Sequence, residues 1–176
     1  RNPSVKAIMQ WIASRYELRY NTVTNQSEIQ ALDTQHDFYY KWTPIDDTVE
    51  HTLFCLMDMD GLRTTERKLD IVIKSHFTKD HNPLKEFIES LYHWDESMPD
   101  YITALADYIL VAEDKSYYHT REYFRYAFRK WFVGMVASWC DKNTVNELVL
   151  ILVGKGGIYK TKFFENLLPP HLRRYY

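Results

Sequence analysis

The sequence predicts a mainly α chain of the α+β class, a helical domain preceded by a β-hairpin. Three observations predict it. Gly and Pro number only 5 and 6 in 176 residues, so tight turns are scarce and a many-stranded β fold is disfavoured. Apolar residues recur at helical spacing along most of the chain, above all between Tyr117 and Cys140. Period-two alternation is confined to a stretch that begins at Glu17 and returns by Leu32. Apolar residues make up 45% and charged residues 26%, which excludes wholesale disorder. A chain of this length buries roughly two-thirds of its unfolded surface and folds without disulfides or metal.

In order along the chain, Pro3 and Ser4 start a helix over about residues 4–15, with Val5, Ile8, Met9 and Ile12 on one face. Leu18, Tyr20, Thr22 and Val23 form a strand, Thr24-Asn25-Gln26 a turn without the favoured glycine, and Ser27 to Leu32 the returning strand. Phe38-Tyr39-Tyr40-Lys41-Trp42 reads as a third strand stopped by Pro44. Asp46-Asp47 caps a helix through Val49, Leu53, Phe54 and Met57 that ends at Asp60-Gly61. Thr64 and Thr65 precede a short helix with Leu69, Ile71, Val72 and Ile73, and Asn82-Pro83 starts another with Leu84, Phe87, Ile88 and Leu91. These helix–turn–helix-like steps after a hairpin also suit a small helical or winged-helix-like module. Ile102, Leu105, Ala106 and Ile109 line the next helix, with Asp95 or Ser97 as its cap. Phe124, Phe128, Trp131, Phe132, Met135 and Val136 line the longest one, which Asp141-Lys142-Asn143-Thr144 breaks. Leu148 to Val153 is a short, β-branched apolar run, the pattern of a strand buried on both faces; it must pack under helices or pair with another copy. Lys160 to Leu168 forms a helix stopped by Pro169-Pro170. The organisation is therefore a helix and hairpin region at 1–45, a helical domain at 46–143, and a third region at 144–176.

The net charge of -2 and pI of about 6.4 remove the global basic signature of a nucleic-acid binder and leave room for a local basic face. Cys55 and Cys140 read as small buried thiols of a reducing, cytoplasmic compartment. Asn25-Gln26-Ser27 matches a glycosylation sequon, with nothing else to suggest secretion. No apolar stretch reaches 18 residues, so no membrane span is expected. Arg1-Asn2-Pro3-Ser4 is neither a signal peptide nor a start, and the chain reads as an internal piece of a longer one.

The apolar run leads directly into Gly154-Lys155-Gly156-Gly157-Ile158-Tyr159-Lys160-Thr161. This is the phosphate-loop pattern G-x-x-x-x-G-K-[ST] with Tyr159 in place of the second glycine. In that pattern loop N–H groups surround phosphates, the lysine neutralises their charge and the hydroxyl ligates Mg²⁺. Strand, glycine-rich turn and helix in this order make an incomplete P-loop NTPase domain; an ordinary glycine-rich strand–helix turn is the alternative. Tyr159 stands where backbone passes close to phosphate or adopts positive φ. Three readings remain for it: an inactive loop, an altered residue, or a tyrosine that swings aside.

Beyond this loop the chain resembles the virulence-associated E (VirE-like) proteins of bacterial mobile elements and phages, primase–helicase-type ATPases related to superfamily-3 helicases. The matching residues are Asn82-Pro83, Phe87, Leu91-Tyr92-His93-Trp94-Asp95, Asp100-Tyr101-Ile102, Leu105-Ala106, Arg129 to Ala137, Asn146, Leu150 to Thr161, Phe163-Phe164 and Leu167-Leu168-Pro169. Tyr16-Glu17-Leu18-Arg19-Tyr20-Asn21 followed by Thr24 is similar to a hairpin of Bacteroidetes-type members. The resemblance implies a helicase-type ATPase fuelled by ATP·Mg²⁺ and acting on DNA, with oligomerisation through the ATPase domain. It makes Lys160 the phosphate-loop lysine, Thr161 the Mg²⁺ ligand, and Gly154, Gly156 and Gly157 the loop backbone. Tyr159 departs from the family's glycine. The acidic Walker B strand, sensor and arginine finger are expected beyond Tyr176, so this chain alone is expected not to hydrolyse ATP.

Other constellations have simpler readings beside the functional ones. Arg121, Arg125 and Arg129, with Lys130, form a stripe that suits DNA phosphates, with Tyr117, Tyr118, Tyr123 or Tyr126 stacking on bases; a solvated face paired with acids is the simpler account. A non-catalytic helical module binding DNA or a replication partner, with a dead loop, is thus the rival function; a purely structural piece of a larger assembly is the third. Trp94-Asp95 reads as a packing junction, His76, Asp80 and His81 as surface residues because their spacing fits no zinc pattern, and Asp58, Asp60, Glu66 and Asp70 as solvated acids. The cysteines lie beside no nucleophile-activating motif.

Overall fold

A computed structural model describes residues 3–33, 35, 39–75, 78–112 and 114–175. It is an α+β chain that forms two compact units, Arg1–Pro83 and Leu84–Tyr176. The division falls between the sequence boundaries after residues 45 and 143, because the helices following the hairpin share one core with it.

In the first unit, helix α1 (Val5–Ala13) begins at Ser4, whose hydroxyl accepts from Ala7 N–H, and buries Ile8, Trp11 and Ile12. Strands β1 (Tyr16–Asn21) and β2 (Gln26–Ala31) pair antiparallel, from Tyr16 opposite Ala31 to Asn21 opposite Gln26. The turn works without glycine because Asn25 takes the left-handed conformation (φ 55°), which asparagine tolerates. The Asn21 side-chain oxygen accepts from the N–H groups of Val23 and Thr24 and so holds the turn.

The third strand differs from the sequence expectation. Tyr39 to Trp42 lie in a turn and bend rather than a strand, and strand β3 is only Thr43–Pro44, antiparallel to β2; Phe38 lies outside the described residues. Tyr39 turns its ring into the core instead, edge-on to Tyr16. Helix α2 (Asp47–Met59) is capped by Asp46 and ends at Gly61 (φ 80°). Val49, Leu53 and Met57 face inward at four-residue spacing. Cys55 lies about 200° around the helix from Leu53, and it is exposed, not buried as the apolar sequence around it suggested. Thr65 caps helix α3 (Glu66–Ile73).

Strand β4 (Lys79–His81) pairs parallel with β1 and completes a sheet of order β3-β2-β1-β4. No sequence signal marks it, since Lys-Asp-His has neither alternation nor strand propensity. Among the described residues no group of acids, histidines and cysteines could hold a metal ion; Asp80 and His81 lie on β4, and His76 is outside the described residues.

The second unit contains the rest of helix α4 (Pro83–Ser90), then α5 (Tyr101–Asp107) and α6 (Arg121–Cys140), the last preceded by a 3-10 turn at Tyr117–His119. Cys140, at the end of α6, is half-buried. Asp100 caps α5 through Thr103 N–H, so neither Asp95 nor Ser97 does; Asp95 instead holds its own turn by accepting from Ser97. Trp94 Nε1 donates to Pro99 O across that turn. Helix α7 (Lys160–Glu165) is shorter than expected, and a 3-10 segment Pro170–Tyr175 follows.

The expected buried strand at Leu148 to Val153 is the main correction. The segment is extended but belongs to no sheet, and Val149, Ile151 and Val153 are 80%, 74% and 92% exposed. A parallel strand is buried only when neighbours flank it. The second unit's described residues contribute none. What the sequence presents as the start of a P-loop domain is here an extended segment, a loop and a helix, without the sheet.

No helix among the described residues is long and apolar enough to cross a membrane.

Candidate functional site

Helix α6 is the platform. Its twenty residues carry one buried side chain, Phe128, ringed by Phe124, Trp131 and Phe132 at centroid distances of 5.5–6.0 Å. Phe163 and Phe164 of α7 close on Phe128 and Trp131 at 6.3 and 6.4 Å. The helix after the glycine-rich loop is thus anchored to α6 by aromatic edges.

The segment before the loop is anchored to the same helix. Asn146 Nδ2 donates to Trp131 O (3.1 Å), and its Oδ1 accepts from Leu148 N–H (3.2 Å). A Cβ on Gly134 would stand 2.7 Å from that oxygen, so the glycine makes room for the clamp. Gly134 and Asn146 both fall in the matched family blocks, but their mutual role was not legible from spacing.

Between these anchors runs the loop. Lys160 Nζ turns back over it and donates to Gly154 O (2.9 Å) and Lys155 O (2.7 Å). The ammonium group therefore sits against the mouth of the loop while Thr161 stays exposed. Gly157 has φ 78°, and Gly156 has open space where a Cβ would be. Gly154 lies against the Ile158 side chain, whose Cδ1 would be 2.8 Å from a Cβ at that glycine.

Tyr159 caps α7 in the left-handed conformation, φ 59° and ψ 21°, and is 79% exposed. The ring therefore points away from the loop, a geometry compatible with each of the three readings. The backbone adopts the shape glycine would give, at a steric cost of about 1–2 kcal/mol. Loop N–H groups from Gly156 to Thr161 donate to no acceptor among the described residues.

The arginine stripe faces α5, which runs antiparallel to α6. Arg125 forks onto Asp107 (Nε to Oδ1 2.8 Å, NH2 to Oδ2 2.7 Å). Arg129 pairs with Asp100 and also donates to Thr103 Oγ1, and Arg121 donates to Ile109 O. The Thr103 hydroxyl, more than Arg129, holds Asp100 below the ordinary carboxylate value, and Arg125 does the same for Asp107. Asp107 in turn raises Arg125. The acids that engage the stripe share a face of α5, a helical spacing visible in sequence; which helix they would meet was not.

Lys130 leaves the stripe to sit 4.7 Å from the Tyr126 ring centroid. Tyr117, Tyr118, Tyr123 and Tyr126 form a chain of ring contacts at 5.1–6.2 Å, with Tyr117 and Tyr118 63% and 67% exposed.

In the first unit the sequence reading missed a buried polar cluster. Glu28, 1% exposed, accepts from Arg19 Nε (2.6 Å) and from Asn21 Nδ2 (3.0 Å), while the Arg19 guanidinium lies 3.9 Å from the Trp42 ring centroid. Charge alternation across the hairpin register, Arg19 opposite Glu28, was the available signal. The cluster fixes the hairpin's turn and Trp42; it is closed by its own partners.

Extended segment, glycine-rich loop, lysine–threonine pair and helix thus follow one another on an aromatic platform within an α+β chain. Residues 88–173, just under half of the chain, match the family model of the virulence-associated protein E-like domain. This match supports the virulence-associated E-like resemblance for the region that carries the loop. No curated protein and no solved structure matches the chain significantly.

Proposed function

We propose that the chain is part of a virulence-associated E-type DNA helicase or primase-associated ATPase of a mobile element, and that its loop 154–161 binds the phosphates of ATP·Mg²⁺. The observation that carries the reading is Lys160, folded back over loop carbonyls between two anchored segments. A bound phosphate offers that ammonium a full negative charge in place of two carbonyl dipoles, a stronger partner. Gly154, Gly156 and Gly157 supply backbone that can close on the anion, the free N–H groups supply donors, and the exposed Thr161 hydroxyl is available to Mg²⁺. Magnesium there neutralises charge on the phosphate oxygens. Tyr159, turned to solvent, does not fill the loop. Cytoplasmic action follows from a nucleotide-driven DNA function.

The test is a thermal melt with and without Mg²⁺-ATP on the chain, on Lys160→Ala and on Tyr159→Gly. A rise in Tm that Lys160→Ala abolishes supports the reading. Equal melts for all three with and without nucleotide would refute it.

The tyrosine chain favours a second reading, a non-catalytic helical module that binds single-stranded DNA. Tyr117 and Tyr118 offer exposed faces for stacking, with Lys130 and the edges of Arg121, Arg125 and Arg129 as phosphate partners. Because Arg125 and Arg129 are engaged by Asp107 and Asp100, phosphate binding must compete with those acids. Affinity that falls steeply with salt and with Tyr118→Ala supports this module; salt-independent or absent binding excludes it.

A further inference from the structure

Helix α6 carries a glycine for which the helix itself has no use. Gly134 lies well inside its twenty residues, where glycine is less favourable than alanine. Its φ is not positive, so no backbone conformation there requires glycine. What requires it is Asn146. A Cβ on Gly134 would stand 2.7 Å from Asn146 Oδ1 and 3.0 Å from its Cγ. The amide can yield to that Cβ only by leaving Trp131 O and Leu148 N–H, which it joins at 3.1 and 3.2 Å. The return of the chain along α6 is itself held by a turn, in which Asp141 accepts from Asn143 N–H and from the Thr144 hydroxyl.

Both flanks of the loop meet α6 at Trp131. Its carbonyl holds Asn146, upstream of Gly154, and its ring meets Phe164, just past Thr161, at 6.4 Å. Ring contacts tolerate sliding, whereas a hydrogen-bonded amide has a direction. We propose that Asn146, given room by Gly134, is a positioning residue of the phosphate site. It fixes where the segment before Gly154 leaves α6, and so whether the loop N–H groups and Lys160 converge on one anion. Donors that must converge on a ligand need a supporting contact that holds them to within about half an ångström. The inference rests on the nucleotide reading of loop 154–161. The contact sits at the start of the extended segment and on the helix, so it does not depend on what flanks Leu148 to Val153.

Calorimetric titration with Mg²⁺-ATP, beside melts without nucleotide, tests it on the full chain, Gly134→Ala, Asn146→Ala and the double variant. Each single variant is expected to weaken nucleotide binding by about five- to tenfold, the worth of one hydrogen bond. Each also lowers the Tm without nucleotide. In the double variant the two readouts part. With the amide gone, the alanine methyl meets no clash and favours the helix, so Tm rises above that of Asn146→Ala. Affinity stays as weak as in the single variants, because the contact is still missing. A side chain that merely supported the fold would let affinity recover with Tm. Such recovery in the double variant therefore overturns the proposal, and so do single variants that bind as tightly as the unaltered chain. An unaltered chain that takes up no Mg²⁺-ATP refutes the nucleotide reading itself, and this inference with it, before any variant is compared.

Discussion

The two compact units treat their apolar residues differently. In the first, Ile8, Trp11 and Ile12 of α1, Tyr16, Ile29 and Ala31 of the hairpin, Val49, Leu53 and Met57 of α2, and Leu69, Val72 and Ile73 of α3 join Tyr39 in one buried cluster. In the second, the buried apolar side chains among the described residues are Leu84, Ala106, Phe128, Leu168 and Leu172. The second unit is no poorer in apolar sequence; its long helix and the run at Leu148 to Val153 are rich in it. The difference lies in closure. A sheet with helices packed on it shares one core, whereas an aromatic-faced helix with one extended segment and one short helix leaves the outer face of that segment in water. Apolar sequence is a demand for burial, and only neighbouring elements meet it.

That comparison can be broken or sharpened. Phe128→Ala is the largest expected effect, because this side chain, the one buried residue of α6, packs against rings of both α6 and α7. A loss of about 3–5 kcal/mol is expected by urea denaturation, and a loss under about 1 kcal/mol would show that the loop's platform does not depend on it. Leu53→Ala, fully buried in the first unit, is expected to cost about 2–5 kcal/mol, against under about 0.5 kcal/mol for Ile151→Ala. Comparable costs at the two positions would erase the distinction between the units.

Tyr159→Gly comes next. It relieves the left-handed backbone and loosens the unfolded chain, and the two effects offset to leave about 0.5–1 kcal/mol of stabilisation. A lower Tm for the glycine variant would mean that the tyrosine ring, despite its exposure, supports the loop.

The smallest effect is acid sensitivity. Asp107 is held below its ordinary value of 3.8 by Arg125, so its contribution is present above that pH and is lost as pH falls toward the depressed folded value. Asp107→Asn should flatten the decline of Tm below about pH 4 without changing the slope near neutrality. An unchanged acid limb would show that the Arg125 pair adds nothing to the helix contact, as surface ion pairs often do.

Much of the fold was legible where the signal is local. Ser4, Asp46 and Thr65 cap the helices they precede, Gly61 ends α2, and the hairpin forms because Asn25 replaces the absent glycine. Of the candidate site, the loop's position after an extended segment and before a helix was also readable. The clamp of Asn146 on α6 beside Gly134 was not, because it joins residues whose distance depends on how an extended segment returns along a helix. The same holds for Asp100 and Asp107 opposite the arginine stripe.

The sequence by itself determined the helices, the hairpin and the glycine–lysine–threonine loop, since caps, periodicity and turn chemistry act over a few residues. Tertiary structure alone decided that Lys-Asp-His becomes strand β4, that Cys55 faces water, and that Leu148 to Val153 stays an unpaired extended segment. Each of these depends on whether a neighbouring element is present to share hydrogen bonds or cover a face, and no local pattern carries that information.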